Sequence, residues 1–118
     1  MSDTEIAVRP RAYVNDPAGK SLTLTYASGM IAVLPHSFLR VYSPMVKLPI
    51  TDEEMLSAES ASIVDIEEIG DDGILLTFAD GLRGLCLWTY FFELAKRHQV
   101  LVPIFLKQLA AIKEKKNG

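Results

Sequence analysis

Cysteine occurs once in this chain of 118 residues, at Cys86, tryptophan once, at Trp88, and histidine only at His36 and His98. A lone thiol makes no internal disulfide, which suits a reducing compartment. A single domain of this size buries roughly two thirds of its unfolded surface and forms a core without staples. No apolar run approaches the ~18 residues of a membrane span, and Met1 to Arg9 lacks the apolar segment of a secretory signal. The expectation is a cytoplasmic protein with no membrane partner. Lys and Arg form no block before the last few residues, and 12 basic side chains stand against 15 acidic ones for a net charge of −3. The electrostatic footprint of a nucleic-acid binder is missing, so no nucleic acid is expected either.

What the chain does have is one stretch used twice, 52 positions apart: Leu24, Thr25, Tyr26, Ala27, Ser28, Gly29 and then Leu76, Thr77, Phe78, Ala79, Asp80, Gly81. Each copy reads as a strand running into a glycine turn. Each is followed by apolar residues and then a hydroxyl beside an aromatic ring, Ser37 with Phe38 and Thr89 with Tyr90.

Residues 1–18 are polar and carry Pro10 and Pro17, which predicts a flexible N-terminal tail ahead of one domain over 19–116. Leu22, Leu24 and Tyr26 alternate with threonines, the period of a half-buried strand, and Ser28 with Gly29 turns the chain into Met30 to Leu34. Pro35 closes that hairpin, and Ser37 is placed to cap a short helical turn that Pro44 ends. Thr51 and Glu54 have capping-box spacing, which allows a brief helix at Asp52 to Ser57 as the alternative to a solvated acidic loop. Ile63 to Ile69 alternates again, Asp72 and Gly73 form a two-residue hairpin signal, and Asp80 with Gly81 turns Ile74 to Phe78 into Arg83 to Leu87. Thr89 then reads as the cap of a helix reaching about His98. Pro103 reads as the first residue of a second helix carrying Phe105, Leu106, Leu109 and Ile112. The predicted fold class is α+β: an antiparallel sheet of two hairpin-type units, a short helix after the first, and two C-terminal helices packed on one face.

The run Leu34, Pro35, Phe38, Leu39, Arg40, Val41, Tyr42, Ser43, Pro44, then Val64, Asp65, Ile66, Glu67, then Thr77 to Gly81, and finally Trp88, Thr89, Tyr90, resembles the gamma-butyrobetaine hydroxylase-like N-terminal domain family. The likeness covers most of the chain from about Ser21 to Leu94 and is closest to the small stand-alone bacterial members, which have no assigned activity. It implies a context, since such domains occur fused to a hydroxylase or to an iron-sulfur carrier ATPase. In hydroxylase-type members a zinc ion is held by cysteines just after the first short helix and by a histidine directly after the second Asp-Gly turn. This chain has Tyr42, Ser43, Pro44, Met45 and Val46 at the first place and Leu82 at the second. Hydroxyls and thioethers do not replace thiolate and imidazole ligands, so no metal and no cofactor is expected. Apolar packing is expected in its stead, with Met45, Val46, Leu48, Pro49 and Ile50 serving either as cover for the core edge or as a partner or dimer surface.

No catalytic residue emerges. The hydroxylases' iron site needs two histidines and a carboxylate, with a histidine two residues before an acid, whereas His36 precedes Ser37 and Phe38, and His98 precedes Gln99 and Val100. No nucleophile elbow, P-loop, dinucleotide fingerprint or zinc-protease helix is present. Gly81 to Gly84 has the spacing of an RNA backbone clamp but joins two predicted strands. Cys86 lies inside a predicted strand, where a buried thiol acts as a small hydrophobe. Candidate partner-surface residues are Arg40, Met45, Val46, Leu48, Arg83, Trp88 and Tyr90. For Trp88 and Tyr90 the alternative is wedging helix on sheet. For Arg40 and Arg83 it is solvated surface or pairing with Asp65 or Glu67. The functional expectation is a non-catalytic accessory or protein-interaction domain with an unidentified protein partner or a second copy of itself, linked by the family's fusion habit to iron-sulfur assembly. The alternative is a small-ligand or metal-binding domain with a polar pocket near Trp88 or His36.

Overall fold

The repeated glycine turn closes the same way twice. The Tyr26 N–H donates to the Met30 carbonyl and the Gly29 N–H to the Tyr26 carbonyl, both at 2.9 Å. Phe78, Leu82 and Gly81 reproduce both bonds, again at 2.9 Å. Ser28 Oγ accepts the Met30 N–H at 3.3 Å, and Asp80 Oδ1 accepts the Leu82 N–H at 3.2 Å. Gly29 and Gly81 sit at φ of 97° and 95°, a region that side chains with a Cβ disfavour.

These observations come from a computed structural model, which describes residues 8–42 and 51–117. Strands β1 (Ala12–Asp16), β2 (Ser21–Thr25) and β3 (Ile31–Pro35) form one antiparallel sheet in that order and lead into helix α1 (His36–Val41). After α2 (Asp52–Ala58), strands β4 (Ile63–Ile69), β5 (Gly73–Phe78) and β6 (Arg83–Leu87) form a second antiparallel sheet and lead into α3 (Trp88–Asn117). The fold class is α+β. The strands divide into two separate three-stranded meanders, and the 52-residue offset relates one β-β-β-α unit to the other. Buried Leu22, Leu24, Tyr26 and Leu34 correspond by that offset to buried Ile74, Leu76, Phe78 and Cys86.

Strand β1 corrects the reading of residues 1–18 as tail. Its side chains alternate between exposed and half-buried, and it pairs along β2 with Tyr13 opposite Leu24 and Asn15 opposite Leu22. A polar edge strand needs only one shielded row and an extended neighbour to donate to, and its composition hides it from a hydrophobic pattern. The turn between β4 and β5 also differs from expectation. It is a loop of Gly70, Asp71 and Asp72 with Gly70 at φ 56°, and Gly73 lies inside β5 opposite Ile69 and Leu87. A Cβ on Gly73 would stand 2.3 Å from the Cys86 carbonyl oxygen, so close strand approach, not turn geometry, requires that glycine.

The helix starts show the same mixture. Pro35, not Ser37, holds the N-cap position of α1, with φ −60° and ψ 145° and no side-chain cap. Proline's fixed φ supplies the extended residue ahead of the helix. Thr51 and Glu54 close a full capping box, Glu54 N–H to Thr51 Oγ1 at 3.1 Å and Thr51 N–H to Glu54 Oε1 at 2.8 Å, so the helix forms where a loop was the alternative. Thr89 is the second residue of α3 and not its cap.

The two expected C-terminal helices are one, 30 residues long with Pro103 inside it. The buried positions Phe91, Leu94, Ala95, Phe105, Leu109 and Ile112 stay in phase across the proline, so breaking there would rotate half the stripe out of the core. Pro103 itself faces solvent, where water can satisfy the carbonyl left without a donor. Helix α3 lies against β3 and β6, and its last turns run beside α2. There Lys115 and Lys116 reach Asp52 and Glu53 at 3.2 and 2.9 Å, and Lys113 pairs with Glu59. No helix among the described residues is long and apolar enough to cross a membrane.

Candidate functional site

The two places where a strand becomes a helix gather most of the chain's unusual side chains. They are built alike: the His36 N–H donates to the Lys20 carbonyl at 2.9 Å, and the Trp88 N–H donates to the Asp72 carbonyl at 2.8 Å. The 52-residue offset maps His36 onto Trp88 and Lys20 onto Asp72. Each helix start is thereby hooked to the tip of the first hairpin in its own unit.

His36 is 1% exposed. Its Nε2 lies 2.6 Å from Asn15 Oδ1 on β1, and its Nδ1 accepts the Ile63 backbone N–H of β4 at 3.1 Å. An Nδ1 that accepts must carry no proton, so Nε2 bears the hydrogen and donates to Asn15. Burial lowers the imidazole pKa below its ordinary value, only partly opposed by the nearby Ser21 backbone and Asp16 carboxylate. The ring is neutral and both of its nitrogens are used.

Trp88 is 3% exposed and belongs to the core rather than to a surface. Its ring lies 5.8 Å from that of Tyr13 and 6.0 Å from that of Phe91, and the Arg9 guanidinium stands 5.7 Å from its centroid. Arg9 also reaches Asp71 at 3.4 Å, and the Tyr13 hydroxyl donates to Glu68 at 2.9 Å. The indole N–H is buried without a partner among the described residues. Burial, strengthened by Glu68, raises the Tyr13 pKa.

Of the remaining candidates, Tyr90 is half-buried and donates its hydroxyl to the Tyr42 carbonyl, tying α3 to the end of α1. Burial pushes its pKa up to about 12, so it stays protonated and keeps donating. Arg40 pairs with Asp80 at 2.9 Å, an acid in the turn of the other unit, rather than with Asp65 or Glu67. Arg83 is exposed on the edge strand β6. Met45, Val46 and Leu48 lie outside the described residues. Among the described candidates, Arg40, Trp88 and Tyr90 are spent on joining parts of the fold.

Of the positions that the resemblance would assign to zinc ligands, the described ones, Tyr42 and Leu82, carry no ligating thiolate or imidazole. Leu82 is half-buried against the core, and the Tyr42 ring packs 4.5 Å from that of Phe38. The only thiol, Cys86, is 2% exposed, and burial pushes its pKa up to about 12, far from a ligating thiolate. Among the described residues no group of three His, Cys, Asp or Glu side chains converges. A shallow open recess of about 400 Å³ is lined by Lys20, Leu56, Glu59 and Ser60, with neither Trp88 nor His36 in its wall.

Sequence reasoning missed Arg9, Tyr13 and Asn15, which shield Trp88 and complete the His36 bridge. The alternation of Tyr13 and Asn15 with Ala12, Val14 and Asp16 was the one available signal.

The family model described as Gamma-butyrobetaine hydroxylase-like, N-terminal matches residues 14–92. No curated protein matches. Among solved structures, a crystal structure of a protein of unknown function from the DUF971 family of Acidithiobacillus ferrooxidans ATCC 23270 is similar, with TM-score 0.63 and 22% identity over 75% of this chain and 93% of that one. One protein structure solved by NMR in solution shares 31% identity over 88% of this chain and 86% of that one, with TM-score 0.65. A second NMR structure shares 23% identity over 96% and 87%, with the same TM-score of 0.65.

Proposed function

This chain belongs to the gamma-butyrobetaine hydroxylase-like N-terminal family, and we propose that it serves as a non-catalytic accessory or protein-interaction domain, cytoplasmic and without a metal of its own. One observation carries the reading. The buried histidine, the residue best suited to ligate a metal or move a proton, has one ring nitrogen engaged by Asn15 and the other by the Ile63 backbone. With the Cys86 thiol also buried, that imidazole and the chain's one thiol are both held by the fold. The fusion of similar domains to an iron-sulfur carrier ATPase makes iron-sulfur cluster assembly the first pathway to examine.

The test is elemental analysis of the purified protein together with affinity capture from its native cells. The expected result is substoichiometric metal and a reproducible protein partner. A stoichiometric, tightly held metal whose chelation unfolds the protein overturns the reading. The alternative, a small-ligand domain, has the recess beside Lys20 in its favour among the described residues, and its acid Glu59 is already paired with Lys113.

A further inference from the structure

We propose that the solvent face of the second sheet seats a second copy of this chain about a two-fold axis running along β5. The inference rests on the interaction-module reading and gives that module one surface and one occupant.

The register assigns the side chains of this face. Asp65, Thr77 and Arg83 form one cross-strand row, Glu67, Leu75 and Leu85 the next, and Ile69, Gly73 and Leu87 the third. Leu85, Leu87 and Ile69 are 43, 45 and 38% exposed, so an apolar patch crosses the sheet with Gly73 leaving its centre flat. Charge lies at the margins and is divided by sign: acids on β4, the Arg83 guanidinium on β6. Neither Asp65, Glu67 nor Arg83 has an ionic partner among the described residues.

That division selects the occupant. Rotation by a half turn about the β5 direction lays β4 of one copy over β6 of the other while keeping each row at its own height. Asp65 then faces Arg83 of the second copy at both ends of its row, Leu75 meets its own equivalent, and Ile69 meets Leu87. In the middle row Glu67 lies over Leu85 of the second copy, two residues along β6 from that copy's Arg83, so its carboxylate adds negative charge beside the same guanidinium. The result is an aligned face-to-face packing of two antiparallel sheets with complementary charge on both flanks. Three strands at a spacing of about 4.8 Å give a small face, below the ~800 Å² per partner of a standard interface, which places the association among the weak, concentration-dependent ones.

Sedimentation velocity over a concentration series tests this on the full chain, with circular dichroism verifying the fold of each variant. The wild-type protein is expected to shift from monomer to dimer across that range. Arg83→Glu places like charges opposite one another and is expected to weaken the dimer by ~10-fold or more, as is Asp65→Arg. The double variant D65R/R83E restores opposite charges and is expected to recover wild-type association. A wild-type chain that stays monomeric throughout, a single variant that associates unchanged, or a double variant as weak as the singles each overturns the proposal. A monomeric chain that still captures a protein partner would do so while leaving the module reading intact.

Discussion

His36 Nδ1 accepts the backbone N–H of Ile63 at 3.1 Å, so a side chain of the first β-β-β-α unit satisfies a backbone group at the start of the second sheet. Protonating that nitrogen turns an acceptor into a donor aimed at another donor, and the bond is lost.

Stability should therefore fall in acid. The folded pKa of His36 lies below its ordinary value of 6.5, so between those values the unfolded chain binds a proton that the folded chain refuses. The contribution is fully present above pH 6.5 and is lost as pH falls below it, with a slope of at most about 1.4 kcal/mol per pH unit. Urea unfolding at several pH values, compared with His36→Gln to cancel the other titrating groups, measures it. Equal slopes in the two proteins would refute the assignment.

Gly73 and Gly81 should respond differently to alanine. At Gly73 the new Cβ meets the Cys86 carbonyl oxygen at 2.3 Å, and strand β6 must move. A loss of ~3 kcal/mol or more is expected, in line with other overpacked sites. At Gly81, with φ 95° and nothing within 4 Å, the cost is backbone strain alone, about 1–2 kcal/mol. Denaturant midpoints rank the two, and a Gly81→Ala protein less stable than Gly73→Ala contradicts this account.

Pro103→Ala should stabilise the protein. The substitution restores a donor in the middle of α3, where interior proline costs about 3 kcal/mol relative to alanine, and its position is exposed enough to accept the change. A gain of about 1–3 kcal/mol, seen as a raised Tm, is the expected outcome. An unchanged or lowered Tm would contradict this account.

The Cys86 thiol should be silent until the protein opens. With a pKa of about 12 and burial inside β6, it offers neither thiolate nor access. Ellman's reagent at pH 8 is expected to leave the native protein unmodified and to titrate one thiol in denaturant. Complete labelling of the native protein within seconds would show that β6 is exposed.

The parts of this fold that were legible in the sequence are those specified by neighbours. Alternation and a glycine at positive φ marked β2 and β3 and, one repeat later, β5 and β6. The two terminal misreadings have tertiary causes. Ala12–Asp16 is a strand because β2 is beside it, and α3 passes Pro103 because the buried stripe on both sides belongs to one core. The candidate site was least legible. His36 draws its two partners from residues 21 and 27 positions away, and no local pattern announces either. Arg40 pairs with Asp80 in the turn of the other unit, where the sequence left solvated surface or pairing with Asp65 or Glu67 as its alternatives.

The hook between hairpin tip and helix start, made once by Lys20 and once by Asp72, has a kinetic corollary. Either unit can assemble its strands and launch its helix from contacts close in sequence, which is the quick part of folding. The seam between units is joined by longer-range links such as the one from His36 to Ile63. In hydrogen exchange the Ile63 amide should accordingly gain protection last as the protein folds and surrender it first when the halves part.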